Sequence, residues 1–299
     1  MKLTVFPKNI PELKEMKIVL ENYHDLHYHE NIYKNALQII TSISQVEAVF
    51  ILGSIANGTA DFFSDIDFYV MCIEEEDIKT IQDQILSKLN QIGPIIHIYQ
   101  SNAKPNDLII YFKPFIKFEL VIDTNKNLSN NWKLGNSSKT LFDRNGLGKR
   151  TLQDAQKLNF NFLDHINEIT NLAIELPSFC YIICGYLMRG EYVTSIDFIS
   201  WIRRKMLRVS GFLLGIRDEG TRRAEERFPP ELIDYYSNLL VSNFDEIWDK
   251  LHIILTWYSD WMVSFFNENN IKHAEKEVVL IRNIINILKI RHERLKEEA

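Results

Sequence analysis

Residues 51–70 read ILGSIANGTADFFSDIDFYV, and this stretch decides what kind of domain the chain builds. It opens apolar, breaks at Gly53-Ser54, and closes with Asp65 and Asp67 inside a second apolar run. Side chains at i and i+2 of an extended segment point the same way, so both carboxylates share one face of a strand. Ile66, Phe68 and Val70 then fall on the opposite face and enter a core without disturbing the acids. Two carboxylates on one face can chelate a hard cation. Taken alone, the pair reads equally well as a turn followed by a solvated sheet edge.

Gly53 and Ser54 tip that balance. They lie between an apolar strand and a segment, IANGTADF, that reads as a helix. Glycine lets backbone approach a phosphate closely, and serine with the free N–H groups of a helix start offers donors to an anion. Mg²⁺ takes oxygen ligands and is usually held by one or two carboxylates plus substrate phosphates. An anion cradle and an acid pair in one strand-turn-helix-strand unit meet that requirement.

The run GSIANGTADFFSDIDFYV resembles the signature of the nucleotidyltransferase superfamily, in which Gly-Ser is followed, after a helix, by Ser-Asp-x-Asp. The resemblance implies a polymerase-beta-like α/β domain with a small mixed sheet. It also implies a nucleoside triphosphate, ATP by preference, with Mg²⁺ on Asp65 and Asp67 and with Gly53, Ser54 and Ser64 on the nucleotide side. A third carboxylate on a later strand completes such sites. FIKFELVIDTN offers Glu119 and Asp123, which share a face. The Glu-Leu-Val run resembles the family's third-strand motif, so Glu119 is the choice, either as ligand of a second ion or as the base. Many relatives carry Asp there. Asp123, roughly 13 Å further along the strand, is assigned to capping its end.

Outward from this unit, apolar runs at 48–52, 66–72, 95–99, 108–112 and 115–122 alternate with helical patterns, as in an α/β domain. NLSNNWKLGNSSKT, 127–140, reads as a loop. Beyond it the period changes: Ile247, Leu251, Ile254, Tyr258, Met262 and Phe265 recur every three or four positions, and Val278, Ile281, Ile284, Ile285 and Leu288 do the same. The expected fold is α+β, with a catalytic nucleotidyltransferase domain over 1–145 and an all-α substrate-binding bundle over 146–299.

The helical half is similar, more weakly, to aminoglycoside and lincosamide nucleotidyltransferases in GYLMRGEYVTSIDFISWIRRKMLRVSGFL and GTRRAEERFPPEL. On a helix over 195–215, Arg204 and Arg208 lie one turn apart with Lys205 beside them. Lys205 and Arg208 are candidates for closing over the triphosphate, against the plainer reading of a solvated basic face. Trp248, Trp257 and Trp261 recur at core spacing. His24, His27 and His29 read as a polar helix surface rather than a metal cluster.

Composition bounds the chemistry. The 299 residues are 46% apolar, enough for two cores, and the formal charge is −6. That balance argues against nonspecific wrapping of nucleic acid and suits a cationic small molecule. Cys72, Cys180 and Cys184 have no metal-ligand spacing and fit buried thiols in a reducing cytoplasm. Residues 1–17 show no leader-like apolar segment, and no uncharged run is long enough for a bilayer. The expected activity is Mg²⁺-dependent transfer of a nucleoside monophosphate, AMP by preference, to a hydroxyl of a small antibiotic, with pyrophosphate released. The alternatives are the same chemistry on a protein or an RNA end, and a nonenzymatic nucleotide-binding or antitoxin-like protein. Expected partners are the nucleotide and the acceptor, with a homodimer left open and neither membrane nor nucleic acid.

Overall fold

The computed structural model describes residues 24–298 apart from Asn102 and Ala103, so the N-terminal stretch read above for a leader lies outside the described residues. The chain divides into two compact units, Met1–Leu158 and Asn159–Ala299.

In the first unit the order is α1 (His27–Thr41), β1 (Ala48–Leu52), α2 (Gly53–Asn57), β2 (Ile66–Cys72), α3 (Glu75–Ser87), α4 (Leu89–Ile92), β3 (Ile95–Ser101), β4 (Lys104–Phe112) and β5 (Ile116–Thr124). It continues with α5 (Asn125–Ser129), α6 (Trp132–Asn136), β6 (Ser138–Asp143) and α7 (Leu147–Gln156). The strands form one six-stranded sheet in the order β3-β4-β5-β2-β1-β6. Only β2 and β5 run parallel; the other neighbours are antiparallel. The domain is therefore built on a mixed sheet, as the resemblance implies.

Strand periodicity divides the sheet into two faces. Val49, Ile51, Ile66, Phe68, Val70, Phe118, Leu120 and Ile122 point to one side and pack with Ile32, Ala36, Ile39 and Ile40 of α1 and Ile78, Ile81 and Ile85 of α3. The rings of Phe68 and Phe118 meet edge to face at 5.2 Å across the parallel pair. On the other side Phe50, Tyr69, Met71 and Val121 are covered by Leu128, Leu134 and Ala155 from α5, α6 and α7. That cover buries β1 as far as Leu52 and is less complete over the start of β2 and β5. At the start of β2 the same face carries Asp67, with Lys117 and Glu119 beside it on β5, all half-buried. Incomplete cover is what makes room for a site.

The segment 127–140 is not the loop its Asn, Ser and Gly content predicts. It holds the end of α5, all of α6 and the start of β6, which pairs with β1 at the sheet's edge. Polar residues within it and just before it serve as caps: Thr124 Oγ1 accepts from the N–H of Asn127, and the Asn131 side chain accepts from that of Lys133. Short capped helices and a half-exposed edge strand leave no apolar period to read.

The second unit is all helical apart from an isolated bridge between Glu219 and Thr221, among the described residues. Its helices are α8 (Ile166–Met188), α9 (Tyr192–Leu213), α10 (Ala224–Arg227), α11 (Pro230–Asn238), α12 (Ile247–Trp257), α13 (Val263–Glu268) and α14 (Glu275–Glu297). Helix α8 is long and apolar enough to cross a membrane by length and composition. Here it contributes Ile169, Leu172, Ala173, Leu176, Cys180, Ile183 and Leu187 to the core. Trp248 and Trp257 are buried in the same core and Trp261 packs against it, as their spacing predicts. All three cysteines are free and buried, and burial pushes the Cys72 and Cys184 thiols up to about 12.

Candidate active site

The site is assembled on β1, β2 and β5. Leu52, the last residue of β1, pairs with Asp67, and Asp67 pairs in turn with Glu119 on parallel β5. Adjacent strands lie about 4.8 Å apart, so the acids of β2 and β5 stand side by side on one face. Asp65 precedes β2 by one residue, and its carboxylate reaches the same place through Lys117. The Lys117 ammonium donates to Asp65 Oδ2 at 2.8 Å and to Glu119 Oε2 at 3.0 Å. Burial opposes the charge on that ammonium. The hydrogen bonds and negative charges of Asp65 and Glu119 outweigh it, and its pKa rises above the ordinary lysine value.

Gly53 fits this corner for two reasons. Its φ is +69°, a conformation that costs glycine nothing, and a Cβ there would lie 3.0 Å from Asp67 Oδ2. The Gly53 N–H donates to the Ser137 carbonyl at 3.0 Å, which fixes the turn to the start of β6. Ser54 follows, buried, on the short helix α2, which Gly58 ends in a left-handed cap. Ser64 has a local role: its hydroxyl accepts from the Asp61 N–H at 3.0 Å and donates to Asp61 Oδ1 at 3.2 Å, which closes the turn before Asp65. Asp123 caps the far end of β5, accepting from the Thr124 N–H at 2.8 Å and from Asn127 Nδ2 at 2.7 Å.

Lys205 and Arg208 belong to the second unit, where both pair with acids of that unit. Lys205 Nζ lies 2.9 Å from Glu168 Oε1, and Arg208 lies 3.2 Å from Glu168 Oε2 and 3.3 Å from Asp218 Oδ2. The two residues read as candidates for closing over the triphosphate thus belong to an ion-pair network of the second unit rather than to a plain solvated face.

Two residues of the site escape sequence reasoning. Lys117 is one. His29 is the other: far from a polar surface, it is buried, and its Nε2 lies 2.9 Å from the Ser64 carbonyl. A carbonyl only accepts, so Nε2 carries the proton, and burial holds the ring's pKa below the ordinary histidine value. His29 thereby anchors the residue before Asp65. Its signal was present as the first member of the buried stripe His29, Ile32, Ala36 and Ile39 along α1.

Residues 33–128 match the nucleotidyltransferase domain family. The matched span includes the whole of β1, α2, β2 and β5, hence every acid of the site. Residues 33–128 form a nucleotidyltransferase domain. No curated protein matches the chain in sequence. Among solved structures it is similar to an aminoglycoside 6-adenyltransferase from Bacillus subtilis, at 14% identity and TM-score 0.40, covering 87% of this chain and 96% of that one. It is also similar to a nucleotidyltransferase-like protein from Exiguobacterium sibiricum, at 12% and 0.39, covering 85% and 88%. A third is a spectinomycin adenyltransferase from Enterococcus faecialis with ATP and spectinomycin, at 12% and 0.33, covering 89% and 98%. At these values the domain match carries the assignment.

Within this nucleotidyltransferase domain the residues able to hold a divalent ion are Asp65, Asp67 and Glu119. Among the described residues no three His, Cys, Asp or Glu side chains converge on one metal position. Two of the three acids do converge on one cation, the Lys117 ammonium. Carboxylate oxygens gathered about a positive charge are the donor set a hard ion such as Mg²⁺ takes, so the residues fit the group.

Proposed function

We propose that the protein transfers a nucleoside monophosphate, AMP from ATP, to a hydroxyl of a small molecule and releases pyrophosphate. The observation that carries this reading is the side-by-side placement of Asp67 and Glu119 on a parallel strand pair, with Asp65 beside them and Gly53 against Asp67. Asp65, Asp67 and Glu119 are the residues that would hold Mg²⁺, whose charge would neutralise the phosphates at the point of attack. Glu119 is also placed to accept the acceptor's hydroxyl proton. Gly53 and Ser54 are assigned to the phosphates, where a glycine backbone allows close approach. Ser64, by its hydrogen bonds, supports the turn that presents Asp65.

The acceptor class we propose is an aminoglycoside or lincosamide. Support comes from the sequence resemblance of the helical half, to which acceptor binding is assigned, and from a net charge of −6 that suits a cationic drug. Three free, buried cysteines accord with a reducing cytoplasm.

The test is pyrophosphate release by the full chain with Mg²⁺, each of the four nucleoside triphosphates and a panel of both drug classes. Asp65→Asn and Asp67→Asn should each lower release at least ~100-fold while leaving the circular dichroism and melting temperature near those of the wild type. Near-normal turnover in either variant would refute the assignment of these acids.

A further inference from the structure

The Lys117 ammonium sits 2.8 Å from Asp65 Oδ2 and 3.0 Å from Glu119 Oε2, with all three side chains between a quarter and a third exposed. It is the resident cation of the cluster. An Mg²⁺ ion binds carboxylate oxygen at about 2.0–2.1 Å, so an ion shared by Asp65 and Glu119 would stand almost where Nζ stands. Two positive charges cannot occupy that point together. A bare divalent ion therefore has to expel an ammonium that two carboxylates hold, and the expelled charge must find another anion.

We infer that Lys117 gates the metal position: a divalent ion on its own binds the free enzyme poorly, and reaches Asp65 and Glu119 together with a nucleotide whose phosphates receive the ammonium. Phosphate oxygens are strong partners for lysine, so the exchange replaces one set of charge-assisted hydrogen bonds with another. The inference rests on the proposed metal role of Asp65 and Glu119 and adds an order of binding to it. Lys117 acts here as a positioning residue, holding the two carboxylates in place before the nucleotide arrives.

The experiment is Mn²⁺ binding to the full chain without nucleotide, followed by electron paramagnetic resonance. Lys117→Met and Lys117→Gln should each bind Mn²⁺ at least tenfold more tightly than the wild type, and Lys117→Arg, which retains a cation, should stay near the wild-type value. Thermal melts identify any variant that fails to fold, and the remaining substitutions then decide. The gain should disappear in Lys117→Met combined with Asp65→Asn. Equal affinities for the wild type, Lys117→Met and Lys117→Gln, all weakened by Asp65→Asn, would overturn the gating role and leave the metal assignment standing. Tight Mn²⁺ binding that survives Asp65→Asn, or no binding by any variant, would overturn both.

Discussion

Gly53 shows how narrowly this site is drawn at the level of single residues. Its positive φ and the 3.0 Å between a virtual Cβ and Asp67 Oδ2 act in the same direction. Gly53→Ala should destabilise the domain by about 1–2 kcal/mol through the left-handed backbone alone. It should also displace the Asp67 carboxylate, so loss of turnover should exceed what the melting temperature suggests; a variant with full activity would place Asp67 outside the chemistry. Asp65 and Asp67 drew attention in sequence because acids at strand spacing interrupt an apolar run just after Gly53-Ser54, whereas Glu119 was chosen over Asp123 by resemblance to the family's third-strand motif. Lys117 was not legible. A single lysine in a strand reads as an outward, solvated charge; strand spacing alone puts it on the face of Glu119, but only the register between β2 and β5 brings it to Asp65. His29 was hidden among three interleaved histidines, although its place in the buried stripe of α1 set it apart.

At the scale of elements, packing against the sheet depends on close backbone approach. A Cβ on Gly135 in α6 would stand 2.3 Å from the Ala155 carbonyl oxygen of α7, so the two helices touch through backbone with no room for a methyl group. Gly135→Ala should cost about 1–3 kcal/mol, the usual range for overpacking, read as a lower melting temperature. In the second unit, His292 on α14 is clamped between two elements. The Trp248 indole N–H can only donate, and it does so to His292 Nδ1 at 3.3 Å, while Tyr192 Oη lies 3.1 Å from Nε2. Nδ1 is thus bare, and burial, followed by the charge of Lys296, holds the pKa below the ordinary value of 6.5. Because the folded value is depressed, this contribution is intact above pH 6.5 and is lost as the pH falls from there towards the folded value. The melting temperature should fall on that acid side, and less steeply in His292→Gln, which does not titrate; identical slopes would remove His292 from the account. Strands with a clear two-residue period were readable at this scale. β6 was not, since an edge strand preceded by two capped five-residue helices presents mostly polar side chains.

For the whole molecule, the sequence change from strand to helix period announced two kinds of architecture, and the structure places α+β and all-α units on either side of Leu158 and Asn159. Each has its own buried clusters. Residues 1–158 and 159–299 expressed separately should therefore each melt cooperatively, and the second should give a purely helical circular dichroism spectrum; a fragment without a transition would show that its cluster is insufficient alone. What the sequence could not convey is which strands become neighbours, because β2 and β5 are separated by two intervening strands and meet only through a crossover.

That meeting has a dynamic consequence. Both β2 and β5 are flanked by strands on either side, so their amides belong to ladders that open only with the unit itself. In hydrogen-deuterium exchange the amide protons around Asp67 and Glu119 should be among the slowest in the chain. The distance between these two anchoring points is then a constant of the molecule, insensitive to loop fluctuation. Adjustment during a turnover cycle is left to the tips of side chains, and the long, flexible stem of Lys117 is the part of the cluster with the greatest reach.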